Sequence, residues 1–270
     1  MTRAWQTHVA FTLGLAITLL LIAVAVLSLA WTPTDPLRMS IAGRLEGPSR
    51  EHPFGTDHYG RDVLARVMAG TVTSIAVGVL AVAVGAGVGV PLGIAGGYVG
   101  GWLDEVLMRL VDAVQGFPAI LSALLFSAVF RPGITISTVA IGIAFVPAFA
   151  RLARGSFLEL RGREFVLAAA ALGANDARLI VRHIFPNSVS PLIVQATTSF
   201  PVAILAEAAL AYLGLGTQPP QPSWGLMLKE AQNFLSLSPL FAVFPGAAIA
   251  LSVLGLNLLG DGLRDLLDPR

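Results

Sequence analysis

The sequence predicts an all-α polytopic membrane protein with six transmembrane helices. Hydrophobic residues make up 55% of the 270-residue chain and charged residues only 12%, whereas soluble domains carry roughly 25% charged residues. The apolar residues form runs that approach or exceed the ~20 residues needed to span a bilayer. The formal net charge of +1 gives no indication of binding to nucleic acid.

Two residue types that often carry chemistry are scarce. The chain has no cysteine, which excludes disulfides, thiolate metal sites and thiol catalysis. None of its four histidines lies inside an apolar run. An intramembrane hydrolase would need a nucleophile and a base within hydrogen-bonding distance, so the sequence disfavours that class.

The first predicted span covers Val9 to Trp31 and carries no charge. A cleaved signal peptide has a shorter apolar core of about 7 to 15 residues. We therefore expect this span to be retained, although Ser28-Leu-Ala30 resembles a cleavage site. The segment that follows, 32–70, is polar and rich in proline and glycine.

Within this segment we predict an amphipathic helix along the membrane surface. Thr56 or Asp57 is its candidate N-cap, and its apolar side would hold Val63, Leu64, Val67 and Met68. A metal site from His52, Asp57 and His58 is the alternative. No further spaced histidine and no cysteine supports it.

The second predicted span, Thr71 to Tyr98, carries glycine at every fourth position from Gly85 to Gly97. Small residues at this spacing share one helix face and allow another helix backbone to come close. We interpret the stripe as a packing surface, with a ligand channel as the alternative.

The third span follows the connector 99–105 and ends near Phe130. Near its entry, Arg109 and Asp112 have a spacing that allows them to pair, and Pro118 predicts a kink within Gln115-Gly-Phe-Pro118. The fourth span, 134–150, is short and contains Pro147.

Two further spans, Pro191 to Leu213 and Pro239 to Leu259, flank a proline-rich loop at 214–238. Glu207 is the acid deepest in an apolar segment. Such acids face protein or a water-filled cavity. Glu207 is therefore a candidate for lining or gating a translocation path near its outer end, or for a hydrogen-bonded strut between helices.

The polar interruption 151–187 holds six arginines and three acids. Alanine and leucine predict a helix from Glu159 to Leu172, with an unbulky patch at Ala168–Ala171. Gly173 is placed to end it. Asn175 or Asp176 is a candidate cap for a second short helix, and Pro186 should stop that one.

With an even number of spans, arginine in the loops places this interruption and both termini in the cytoplasm.

The pattern Glu-x-x-x-Ala-Ala-x-x-x-Gly from Glu164 to Gly173, followed by His183-Ile-x-Pro-Asn187, resembles the coupling loop of type I ABC-importer permeases. Three other stretches resemble the C-type subunit of the dipeptide, oligopeptide and nickel branch. They are His52 to Asp62, Glu207 to Gly216, and Asn257 to Pro269. Together the matches run in order from residue 52 to the end.

The polar segment that ends at residue 70 predicts a domain division at that residue. Residues 1–70 would hold the first span and an extracytoplasmic segment, and residues 71–270 a five-span core with the coupling loop 151–190. The implied extracytoplasmic motif is Gly55, Thr56, Asp57, Gly60, Arg61 and Asp62. The implied coupling residues are Glu164, Leu167, Ala168, Ala169, Gly173, Arg182, His183, Pro186 and Asn187.

The resemblance also implies a non-catalytic subunit in the inner membrane of a bacterium or archaeon. It would pair with a second permease subunit, two cytoplasmic ATPase subunits and a substrate-binding protein. ATP and Mg²⁺ would bind the ATPase subunits, because this chain has no phosphate-loop motif. We expect no cofactor or metal here, and dipeptides or oligopeptides as substrates, ahead of nickel chelates and glutathione.

One position departs from the family pattern. The acid expected immediately before the paired alanines is Leu167 here, so that residue's contact with the ATPase cannot be carried over. Glu164 lies three residues earlier on nearly the same helix face and is a candidate substitute. The rival function is a secondary transporter or channel. Such proteins often carry internal repeats and midplane charges, neither of which stands out here.

Overall fold

The computed structural model describes residues 2–267, with the backbone alone for 2–8, 119, 127–128 and 267. Within that range the chain is helical apart from loops and one isolated bridge between Thr56 and Asp62. The α-helices are α1 (Thr2–Ala30), α2 (Val63–Val99), α3 (Gly101–Gln115), α4 (Ala119–Phe130), α5 (Ile134–Arg161), α6 (Glu164–Ala171), α7 (Asp176–Arg178), α8 (Phe185–Tyr212), α9 (Trp224–Ala231) and α10 (Leu240–Leu267).

Five stretches of the described chain are long and apolar enough to span a membrane: Val9–Ala30, Val63–Val99, Ile134–Arg161, Asp176–Tyr212 and Leu240–Leu266. A sixth exists if α3 and α4 count as one span. These two helices meet at 86° across the predicted kink. The predicted site of the kink is confirmed, and the count of six holds if the bent pair is one span.

Helices α2 and α5 pack along the glycine stripe. A Cβ on Gly89 would lie 2.6 Å from the carbonyl oxygen of Val146, and one on Gly97 would lie 2.7 Å from that of Arg154. Only glycine allows the two backbones this distance. The packing interpretation of the stripe is confirmed.

The other spans surround this pair. Helix α1 lies along α10, where Gly14 and Gly255 allow close approach. Trp224 of α9 is fully buried against α2, and its indole Nε1 donates to the carbonyl of Val67 at 3.0 Å. The predicted loop 214–238 therefore contains a helix that packs into the core.

The separate surface helix predicted before the second span is wrong. The cap is Asp62, whose side chain accepts from the amide of Ala65, and α2 then runs unbroken from Val63 through residue 70. Val63 and Val67 are buried in the protein. Helix α2 therefore begins earlier than hydropathy predicts, because the charge of Arg66 in its first turns is paired with Asp57 and Glu230 inside the fold.

The interruption after the fourth span is shorter than predicted. Helix α5 continues to Arg161, and the chain breaks at Gly162, so the predicted helix from Glu159 to Leu172 is two helices. Pro186 does not stop the second short helix. A π-helical stretch, Leu179–Ile184, carries α7 directly into α8, with Pro186 in the first turn where its missing N–H is tolerated.

Two further differences concern charges and the C-terminus. Arg109 pairs with Glu105 at 2.7 Å, and Asp112 pairs with Arg151 at 2.6 Å, so the predicted Arg109–Asp112 pair is wrong. Helix α10 continues beyond residue 259 to Leu267. The last two residues of the tail motif, 268 and 269, lie outside the described range.

Candidate functional site

The predicted coupling loop, 151–190, forms a small folded unit at one end of α2, α5 and α8. Residues 151–161 belong to α5, so from here on we call residues 162–187 the coupling loop. Val166 of α6 is buried with Phe157 of α5 and with Leu179 and Ile184 of the π-helical stretch. Ile94 and Tyr98, near the end of α2, pack against the same cluster. A force applied to α6 would therefore reach three spans through one apolar core.

Gly173 turns the chain between α6 and α7. Its φ is +88°, a region that favours glycine. The amide of Gly173 donates to the carbonyl of Ala170 at 2.9 Å, and that of Ala174 donates to Ala169 at 3.1 Å. These two bonds form a Schellman motif. Asn175 then caps α7 by accepting from the amide of Arg178 at 2.9 Å, so Gly173 and Asn175 have their predicted roles.

The outer face of the coupling loop is apolar and exposed. Leu167 is 57% exposed and Leu172 is 90% exposed, and Ala168 between them is exposed as well, whereas Ala169 is half-buried. Glu164 is exposed in the first turn of α6, where an acid is favoured by the helix dipole. Exposed apolar side chains of this kind make the loop a candidate site for contact with protein or membrane.

Most of the arginines near the loop are held by internal partners. Arg154 donates to both carboxylate oxygens of Asp104, at 2.5 and 2.6 Å. Arg161 donates to the carbonyl of Tyr98, whose hydroxyl in turn donates to Asp176 at 2.7 Å. The Arg154 bonds fasten α3 to α5, and the bonds of Tyr98 fasten the end of α2 to α5 and α7.

The remaining predicted coupling residues lie along the π-helical stretch and the start of α8. Arg182, Pro186 and Asn187 are exposed, and His183 is half-buried. The Asn187 amide donates to the carbonyl of His183 at 2.6 Å. The structure thus brings both halves of the sequence motif onto one projecting unit.

A second group of predicted residues lies at the opposite end of α2. Asp57 accepts from Arg61 Nε at 2.6 Å and from Arg66. Glu230 of α9 accepts from Arg61 at 3.1 Å and forms an ion pair with Arg66 at 2.8 Å. We call Asp57, Arg61, Arg66 and Glu230 the charge cluster; its two carboxylates and two guanidinium groups balance.

The rest of the extracytoplasmic motif builds the turn that carries this cluster. Gly55 and Gly60 have φ of +75° and +73°, and a Cβ on Gly55 would lie 2.5 Å from the carbonyl oxygen of Glu46. Thr56 accepts from the Glu46 amide and donates to the Gly43 carbonyl. All six predicted motif residues therefore belong to one compact turn before α2.

Burial by itself would raise the pKa of Asp57, but Arg66, Arg61 and two backbone amides outweigh it and lower that pKa. Burial lowers the pKa of His58, opposed by Asp57 and Glu230. Asp57, His58 and Glu230 lie close enough to share a cation. Both carboxylates already bind guanidinium groups, and His52 pairs with Asp62 at 2.7 Å, so this geometry does not favour a metal site.

Glu207 is fully enclosed between α2, α8 and the loop after α8. Its carboxylate accepts from the hydroxyl of Thr217 at 3.1 Å and lies 3.5 Å from that of Ser74. Both of these side chains contact the carboxylate through a hydroxyl group. This geometry favours the strut over the gate.

Sequence reasoning missed two members of the charge cluster. Arg66 is the second buried arginine that binds Asp57. Glu230 lies 169 residues after Arg61 in the chain and joins the cluster by binding it. The spacing of Asp62 and Arg66 by one helical turn would have suggested a pair between them, but Asp62 binds His52 and Arg66 binds Asp57. Nothing local in the sequence marks Glu230.

Together, a helical membrane domain and an exposed apolar loop pinned to three spans are the features of a membrane subunit that works with other proteins. The comparisons narrow this class. The family described as "binding-protein-dependent transport system inner membrane component" matches residues 89–270, and the chain belongs to that family. It is a non-catalytic, multi-pass inner-membrane subunit of an ABC importer.

Individual relatives agree. The chain is 43% identical over 257 residues to the dipeptide transport system permease protein DppC of Alkalihalophilus pseudofirmus, covering 95% of this chain and 84% of that one. It is 44% identical over 269 residues to the glutathione transport system permease protein GsiD of Pectobacterium atrosepticum, covering 99% and 89%.

A solved structure shares the fold. The match is to an inward-facing form of the MetNI methionine ABC transporter, with a TM-score of 0.58 and 16% identity over 75% of this chain and 96% of that one. The family description names a binding protein, which implies ATPase and binding-protein partners. A secondary transporter working alone is therefore not retained.

Proposed function

We propose that this chain forms half of a translocation path for short peptides and pairs with a second, different permease subunit. Two cytoplasmic ATPase subunits dock on the coupling loops of the two permease subunits. ATP and Mg²⁺ bind the ATPase subunits. The observation that carries the proposal is the exposed apolar face of α6, whose buried side is pinned to the ends of α2, α5 and α8.

In this mechanism the ATPase dimer moves the coupling loop as it closes. Leu167, Ala168 and Leu172 form the contact, with Glu164 as the acidic group nearest to it. The shared core of Val166, Phe157 and Ile184 passes the displacement to the spans. The spans then shift between outward-open and inward-open packings, a population shift biased by the partner.

The same proposal fixes the orientation. The coupling loop and both termini are cytoplasmic, and the charge cluster with its turn faces the side from which the binding protein delivers substrate. The arginines of the coupling region support this direction.

The substrate class is short peptides. One relative is named for dipeptides and another for glutathione, which is itself a small peptide, and both align over most of this chain. Selection among peptides falls mainly to the separate binding protein.

The test is uptake by the purified complex in proteoliposomes loaded with ATP. Labelled dipeptides should enter only when the binding protein and both ATPase subunits are present. Uptake by this chain without ATPase subunits would overturn the proposal. Uptake of a non-peptide solute with no response to dipeptides or glutathione would overturn the substrate class.

A further inference from the structure

The break between α3 and α4 places non-helical backbone inside the apolar zone of the fold. The helix is interrupted at residues 116–118. The amides of Gly116 and Phe117 still donate to the carbonyls of Asp112 and Val114 at 2.9 and 3.4 Å, and no side chain caps the start of α4. Gln115, Gly116, Phe117 and Pro118 are all exposed in this chain. The chain's own residues therefore leave the break uncovered.

The depth of the break follows from its neighbour α5. A cavity beside the break is lined by Ala140, Ile143 and Ala144 of α5. These residues lie in the charge-free stretch between Ile134 and Arg151. At 1.5 Å per residue, they lie roughly 9 to 15 Å from the start of α5 and roughly 10 to 16 Å from Arg151. The break is thus at hydrocarbon depth.

Irregular backbone at that depth is tolerated only where protein covers it or where it lines a water-filled cavity. The cavity here has a volume of about 410 Å³, within the range of small-ligand sites. Gln115 and Ser122 are the polar side chains among its lining residues, and none of those residues is charged.

We propose that the α3–α4 break, with Gln115 and Ser122, forms a wall of the substrate path in this half of the permease. The side-chain amide of Gln115 both donates and accepts hydrogen bonds, as does a peptide backbone. An uncharged wall of this kind suits peptides of varied sequence. The inference rests on the proposed function and names the residues of this chain that line the substrate path.

The absence of native cysteine makes a labelling test direct. Gln115→Cys and Ser122→Cys are introduced singly into the complex and treated with a charged, membrane-impermeant methanethiosulfonate. Ser236→Cys, exposed in the loop before α10, is the control for an aqueous site. Leu19→Cys, on a 55% exposed residue of the apolar α1, is the control for the membrane face. The wild-type complex gives the background from partner subunits.

We expect both path variants to be labelled in one nucleotide state, with slower labelling when dipeptide is being transported and loss of uptake once labelled. Labelling as low as that of Leu19→Cys in every state, in complexes that still show ATP-driven uptake, would overturn the path assignment alone and indicate a subunit contact. A wild-type complex without ATP-driven uptake would overturn the proposed function and this inference with it.

Discussion

Gly89 of α2 lies directly against the backbone carbonyl of Val146 in α5, so a Cβ at position 89 would come within 2.6 Å of that oxygen. The same added carbon would lie 2.8 Å from Cβ of Phe149. No flexible side-chain end can move aside at this contact. The α2–α5 pair is therefore held at a separation that only glycine allows.

Gly89→Leu should push α2 and α5 apart and lower the thermal unfolding midpoint of the purified protein. Overpacking typically costs about 1–3 kcal/mol, and a contact against backbone should lie at the upper end. Gly87→Leu is the matched control, because nothing lies within 4 Å of a Cβ at that position. Equal midpoints for the two variants would refute the packing role.

Asp57→Asn should destabilise the protein strongly, because it leaves two buried arginines with Glu230 alone. Nε and Nη2 of Arg66 already have no hydrogen-bond partner. Breaking a buried ion pair by removing one member costs about 3–5 kcal/mol. Glu51→Gln, on an exposed acid of the same segment, is the control, and a similar small effect for both would contradict the account.

The charge cluster also predicts acid sensitivity through His58. Its pKa is lowered by burial, with Asp57 and Glu230 favouring the proton and Arg61 and Arg66 opposing it. The unfolded chain therefore takes up the proton first as the pH falls. The stabilising contribution is complete above the unfolded pKa of about 6.5 and is lost as the pH falls through the lower folded pKa.

His58→Phe keeps a ring that can stack on Phe234, 5.1 Å away between centroids, and removes the titration. Between about pH 7.5 and about pH 5.5, a window around the ordinary histidine pKa, its unfolding midpoint should fall less than that of the wild type. An identical fall in both proteins would show that His58 is not the group responsible.

Glu207→Gln should leave assembly and import nearly unchanged, since Thr217 and Ser74 can donate to an amide oxygen as they do to the acid. Glu207→Leu removes the acceptor and should cost about 1–3 kcal/mol, seen as a lower unfolding midpoint. A Gln variant that assembles normally but imports nothing would revive the gating role.

The sequence predicted the elements whose signals are local. Apolar runs located the spans. The glycine stripe from Gly85 to Gly97 located the face of α2 that packs on α5, and Gly173 located the turn after α6. Hydropathy misplaced the ends of α2 and α5, because their polar ends are satisfied by partners distant in sequence. Arg154, for example, belongs to α5 because Asp104 of α3 binds it.

Pairings between distant segments could not be predicted from the sequence either, because the partners are brought together only by the fold. Arg109 has an acid at each of two helical spacings, Glu105 and Asp112. It pairs with Glu105, because α5 brings Arg151 to Asp112. Proline normally ends a helix. At Pro186 the chain stays helical, because the π-helical stretch before it accommodates the missing amide hydrogen. Glu230 joins the charge cluster only because α9 folds back onto α2.

The claim that α6 couples the ATPase subunits to the spans is tested most directly by co-purification and uptake with Leu172→Asp. This substitution places a charge on the most exposed apolar residue of the coupling loop while leaving the buried Val166 in place. Leu237→Asp is the control, on a 71% exposed leucine in the loop before α10. We predict that Leu172→Asp loses the ATPase subunits and ATP-driven uptake while Leu237→Asp keeps both. ATPase subunits that stay bound to Leu172→Asp, with uptake unchanged, would contradict the claim.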